Sequence, residues 1–109
     1  MNVKQTQKDD ITIIELEGSI DSKTTTDIQK KVMDVVINSD KLILVFSKVN
    51  FVSSAGLRLL LMIYRQVTSR KGKVVLVDVS EEIRDVMEMT GFINFFTITK
   101  TVEEAGKTF

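Results

Sequence analysis

Hydrophobic and polar positions alternate between two periods along this chain. In Ile11 to Gly18 (ITIIELEG), Ile14 and Leu16 share a side with Gly18 and Ile20, while Glu15 and Glu17 lie opposite, which predicts a strand with one buried and one wet face. Ahead of it, Val3 to Gln7 is sparsely apolar and Lys8-Asp9-Asp10 reads as a turn, so the chain opens with a hairpin. Ser22 to Ile37 then carries a helical pattern, with Ile28, Val32, Val35 and Val36 on one stripe. Leu42 to Phe46 (LILVF) is a continuous apolar run, the signature of a strand covered on both faces. From about Ala55 to Thr68 or Ser69 a second helix is apolar nearly all round at Leu57 and Leu59 to Tyr64, which predicts that it is largely enclosed.

The same reading continues to the end. Lys73 to Val79 (KVVLVDV) predicts another buried strand, and Ser80-Glu81-Glu82 opens a helix with a hydroxyl cap and first-turn acids. Ile83, Val86 and Met87 form the apolar stripe of that helix, and Gly91 stops it. Phe92 to Thr99 is expected to hold a short strand, Thr101-Val102-Glu103-Glu104 has the form of a capping box, and Phe109 is a candidate anchor for the tail. No linker, low-complexity run or internal repeat interrupts the pattern. Alternating βα units after a hairpin predict an α/β fold: a mostly parallel β-sheet with an antiparallel N-terminal edge strand, alternating with about four helices in one domain spanning residues 1–109. Right-handed crossovers would set the loops after neighbouring strands along one side.

Composition narrows the function. The 109 residues carry 15 Lys plus Arg against 15 Asp plus Glu, so no overall field draws the chain to nucleic acid or to an anionic membrane, and a partner must be found by a local surface. Cysteine and histidine are both absent, which removes disulfides, the common metal sites and the common nucleophilic triads. A non-enzyme with no cofactor and no metal is expected. No apolar run approaches the roughly 20 residues that span a bilayer, and Met1 leads into a polar segment, so the expected location is the cytoplasm.

The candidate chemistry gathers where the run Leu42 to Phe46 has given way to a helix, at Ser53-Ser54-Ala55-Gly56. Two hydroxyls at a helix N-terminus face free N–H groups and the positive end of the helix dipole. One reading is a capping serine; the other is a hydroxyl exposed for modification, and the two are compatible. Asp21 is similarly placed near the start of the first helix, as an N-cap or first-turn carboxylate, with Thr24-Thr25-Thr26 beside it. Elsewhere the plainer reading prevails. Asp9-Asp10 is a turn former and not a metal site, Arg70-Lys71-Gly72-Lys73 ends a helix and does not bind nucleic acid, and Met62, Met87 and Met89 fill gaps in the core. A receiver domain would need an acceptor Asp at the end of the central strand, where Val45-Phe46-Ser47 stands, and no phosphate-binding glycine loop is present.

The segment VNFVSSAGLRLLL, with Gly18 to Asp21 (GSID) earlier and Glu88 to Phe92 (EMTGF) later, resembles the anti-sigma factor antagonists, the bacterial branch of the STAS domains. The resemblance implies that Ser54 is a phosphoacceptor, with Asp21, Ser53, Ala55 and Gly56 as its neighbours and Ser22, Lys23, Thr24, Val52, Leu57 and Arg58 as the partner surface. It implies two partners, an anti-sigma factor that is also a serine kinase and a serine phosphatase, with no direct contact to nucleic acid or membrane, and a monomer when free. The unphosphorylated form would bind the anti-sigma factor and release the sigma factor. The alternative is a constitutive STAS adaptor in a transport or signalling complex, without phosphorylation. Ser53 and Val45 stand where the family often has Asp.

Overall fold

The computed structural model describes residues 2–109. Two strands, β1 (Asn2–Lys8) and β2 (Ile11–Ile20), pair antiparallel through a turn at Asp9 and Asp10. The chain then alternates through α1 (Thr25–Val36), β3 (Lys41–Val52), α2 (Ser54–Thr68), β4 (Lys73–Val77), α3 (Glu81–Thr90), β5 (Thr97–Thr99) and α4 (Val102–Gly106). The five strands lie side by side in sequence order, with β2, β3, β4 and β5 parallel, so the α/β architecture with an antiparallel N-terminal edge is as the pattern predicts.

Because the sheet grows in one direction, right-handed crossovers place α1, α2 and α3 on the same face. There Ile14, Leu16 and Ile20 of β2 meet Ile28, Val32 and Val36 of α1, Leu57, Leu60, Ile63 and Val67 of α2, and Ile83 and Met87 of α3 in one core. Among the described residues, the opposite face is covered by α4 and the tail after it, through a smaller cluster of Ile43, Val45, Val75, Val77 and Ala105, with Ile11, Ile13, Val102 and Phe109 packed at its margin. The second face of β2 is therefore wet only at its Glu15 and Glu17 end. Lys73 Nζ donates to the carbonyl of Thr108, at 2.9 Å, which helps to fix the tail next to Phe109.

Several boundaries differ from the expected ones. The helix α1 starts at Thr25 and not at Ser22, because β2 runs on to Ile20 and a turn over Asp21 to Thr24 intervenes. β4 ends at Val77, since Asp78 takes a left-handed conformation (φ 57°). Phe92–Phe95 forms a single 3-10 turn after the left-handed Gly91, where Tyr64 packs on Phe95 and Phe96, so only the last three residues of the expected strand pair with β4. α2 is less enclosed than its composition suggests: Leu57, Leu59, Leu60, Ile63 and Val67 are buried, while Leu61, Met62 and Tyr64 are half-buried and Arg58, Arg65 and Gln66 are exposed.

Candidate functional site around Ser54

β2 and β3 run parallel and in step at their ends, with Ile20 opposite Val52. The next residues of each strand therefore emerge together: Asp21 from one, Ser53 and Ser54 from the other. The carbonyl of Ile20 accepts a hydrogen bond from the N–H of Ser53 at 2.9 Å, which ties the two exits. Gly56 closes the junction. A β-carbon there would lie 2.5 Å from the Ile20 carbonyl oxygen and 2.9 Å from side-chain carbons of Ile20 and Val52, so only glycine lets the first turn of α2 sit this close to β2. A further link comes from Ser19, whose hydroxyl donates to the side-chain oxygen of Asn50 at 2.9 Å.

The two serines have different jobs. Ser53 is the N-cap of α2, in an extended conformation, and its hydroxyl oxygen accepts from the N–H of Gly56 at 3.3 Å. Ser54 is the first helical residue; it is exposed, and its hydroxyl makes no hydrogen bond among the described residues. The first N–H groups of a helix have no partner within it. Here Gly56 N–H goes to the Ser53 hydroxyl and Leu57 N–H to the Ser53 carbonyl, which leaves those of Ser54 and Ala55 open at the positive end of the helix. An oxyanion on Ser54 would meet those groups. Arg58, exposed and one turn further along, lies on the same helix face.

Asp21 is half-buried and turned into its own loop. Its carboxylate accepts from the N–H of Lys23 at 2.9 Å and of Thr24 at 3.2 Å, so it organises the turn before α1 instead of capping the helix. The N-cap position belongs to Thr24, whose hydroxyl makes no capping bond and instead donates to the carbonyl of Ser19 at 2.8 Å while accepting from the N–H of Asp21 at 2.9 Å. On the resulting rim Ser22 and Lys23 are exposed and Thr24 is half-buried.

Two residues expected on the partner surface are not there. Val52 is 6% exposed and Leu57 is 4% exposed, both inside the main core, because Val52 points to the helix-covered face of the sheet and Leu57 to the inner side of α2. Val45 is also away from the site. It lies mid-strand opposite Val77, within the cluster under α4, and the strand continues to Val52 before the serines are reached.

A residue that the pattern did not single out is Phe51, 53% exposed beside Val52. β4 stops opposite Val45, so the last part of β3 has no strand on that side. The polar residues Ser47, Lys48 and Asn50 after the apolar run were the available signal. Of the methionines, Met87 is in the core and Met62 packs against it, but Met89 is 86% exposed, which corrects the expectation that all three fill gaps. Among the described residues no cluster of acids could hold a metal ion, and Asp10 instead pairs with Lys41 at 2.6 Å. No helix among them is long and apolar enough to cross a membrane.

Comparison with known proteins agrees with this geometry. Residues 2–105 match the STAS domain family. BtrV of Bordetella bronchiseptica, which carries the name of an anti-sigma factor antagonist, is 26% identical over all of this chain and 95% of its own length. Among solved structures, one of an anti-sigma factor antagonist from Thermotoga maritima superposes with a TM-score of 0.91 at 24% identity, covering 97% of this chain and 92% of its own. The Bacillus cell fate determinant SpoIIAA, solved in its phosphorylated form, superposes with a TM-score of 0.74 at 22% identity, over 98% of each chain. With five strands in this order, helices α1 to α3 on one face and a family match over nearly its whole length, the chain belongs to the STAS domain family.

Proposed function

We propose that this chain is an anti-sigma factor antagonist switched by phosphorylation of Ser54. In its unphosphorylated form it binds an anti-sigma factor that is also a serine kinase, so that the sigma factor is released. Transfer of phosphate from ATP to the Ser54 hydroxyl, catalysed by that kinase, ends the binding, and a serine phosphatase restores it by hydrolysis. The chain itself supplies a surface and an acceptor, not catalysis, and acts in the cytoplasm as one domain.

The observation that carries this reading is the hydroxyl of Ser54 on the first residue of α2, exposed and without a hydrogen bond among the described residues. Phosphate brings about −1.5 to −2 charge at neutral pH. Within the domain, that charge meets the open N–H groups of Ser54 and Ala55 and the reach of Arg58, so the fold accommodates it without rearrangement. A partner packed on the same loop would have to desolvate the phosphate, which is costly without a matching cation. Ser53 in place of the family's Asp is consistent with acceptance at Ser54, because Ser53 is occupied as the cap and keeps the loop in the same form. Support also comes from the name of BtrV and from the existence of a phosphorylated form of SpoIIAA. Incubation with the cognate anti-sigma factor and ATP, followed by peptide mass spectrometry, tests the reading: a phosphate on Ser54 is expected, and a phosphate confined to Ser53, or none, would contradict it.

A further inference from the structure

We propose that the groove between the end of β3 and α3 is a docking socket for a basic protein segment that carries an apolar side chain. The groove is lined by Asn50, Phe51, Val52, Glu82, Ile83 and Val86. It exists because β4 stops opposite Val45 while β3 continues to Val52, so α3 packs beside a strand that has lost its neighbour. Two large apolar side chains stand open across it, Phe51 at 53% and Val86 at 41% exposure, and Met89 continues the stripe one turn further along α3.

Size and charge select the occupant. The groove measures about 220 Å³, below the roughly 300–1,000 Å³ of small-molecule sites, and is suited to one or two side chains. Its one charged lining residue is acidic, Glu82, and the helix that carries it is acidic as a whole: elsewhere on its exposed surface α3 adds Glu81, Asp85 and Glu88 against Arg84 alone, and Arg84 is already 3.9 Å from Glu88. A second copy of the chain would bring the same carboxylates together, and like charges in contact oppose association. A partner with lysines or arginines around an apolar anchor meets both features. The last β3 residue of this groove, Val52, runs directly into Ser53 and Ser54, but docking there does not require modification of the Ser54 hydroxyl.

The test is a titration of the full chain, followed by amide chemical shifts, with a synthetic amphipathic helix bearing one leucine face and one lysine face, and with its leucine/glutamate counterpart. Saturable shifts confined to residues 50–52 and 82–86 are expected with the basic helix only. Glu82→Lys and Val86→Ser are each expected to weaken the affinity about tenfold, as loss of a charge match or an apolar anchor does. Both positions are exposed, and Phe51→Ser gives an independent variant with the same expected readout. No saturable shift, shifts centred elsewhere, or an equal response to the acidic helix would overturn the proposal. The peptide carries no kinase, so the result stands apart from the fate of the Ser54 reading.

Discussion

The carbonyl oxygen of Ile20 lies 2.5 Å from where a β-carbon on Gly56 would be. That approach joins the end of β2 to the first turn of α2 and thereby sets Asp21 and Ser54, distant in sequence, on one surface. Gly56→Ala is expected to lower stability. Alanine gains about 1 kcal/mol of helix propensity, but the oxygen it meets is backbone and cannot swing away, and overpacking of this kind costs about 1–3 kcal/mol. A net loss of about 1 kcal/mol, or a melting temperature lower by roughly 4–8 °C, is expected in a thermal scan. An unchanged or raised melting temperature would contradict this account of the junction.

The division of labour between the serines can be measured without a partner. Ser53→Ala removes the cap on Gly56 N–H and is expected to cost about 1 kcal/mol in denaturant unfolding. Ser54→Ala removes a hydroxyl with no bond and should change stability by no more than about 0.5 kcal/mol. Equal losses at both positions would mean that the hydroxyls share the cap.

Arg70 holds the other end of the molecule. Its guanidinium donates to the carbonyls of Val36 at 2.9 Å, Ser39 at 2.8 Å and Gln66 at 3.0 Å, so one cation serves the C-terminal ends of both α1 and α2. Arg70→Met keeps much of the stem but leaves these carbonyls to water, with an expected loss of about 2 kcal/mol in urea unfolding. Binding through the Ser54 surface should be unaffected, because the two ends of the sheet are far apart along β3.

Acid sensitivity has one local source at the hairpin tip. The Lys41 ammonium hydrogen-bonds the Asp10 carboxylate and holds its pKa below the usual value of 3.8. A carboxyl whose pKa is depressed on folding contributes stability that is present above its unfolded pKa and is lost as pH falls through the folded value. Asp10→Asn should therefore cost a small amount of stability at neutral pH and nothing once the pH is well below 3.8. Melting temperatures of the two forms that fail to converge on acidification would show that the pair does not act this way.

The fold was legible because burial follows local pattern closely here: continuous apolar runs at Leu42 to Phe46 and Val74 to Val77 mark strands covered on both faces, and Ser80, Gly91 and Thr101 sit at helix ends as their chemistry requires. Less legible was whatever depends on how far one element outlasts its neighbour. Phe51 and Val86 are apolar residues in apolar patterns, and although the polar Ser47, Lys48 and Asn50 mark where β3 loses its cover, no local pattern shows that β4 ends seven residues short of the end of β3 and leaves Phe51 and Val86 open. Val52 and Leu57 fail as surface residues for a related reason: flanking an exposed serine in sequence does not place a side chain on the serine's side of the strand or helix. Asp21 follows the end of β2 that pairs with the end of β3, but its carboxylate serves its own turn, because Thr24 and the longer β2 shifted the helix start.

The switch itself is most directly tested by the equilibrium affinity of the cognate anti-sigma factor for two preparations of the full chain, one unphosphorylated and one phosphorylated stoichiometrically at Ser54. Desolvating a phosphate against a surface that fits a neutral hydroxyl is expected to cost at least about 3 kcal/mol, so the unphosphorylated chain should bind at least about a hundredfold more tightly. Equal affinities for the two forms would contradict the account, whatever the modification state found in cells.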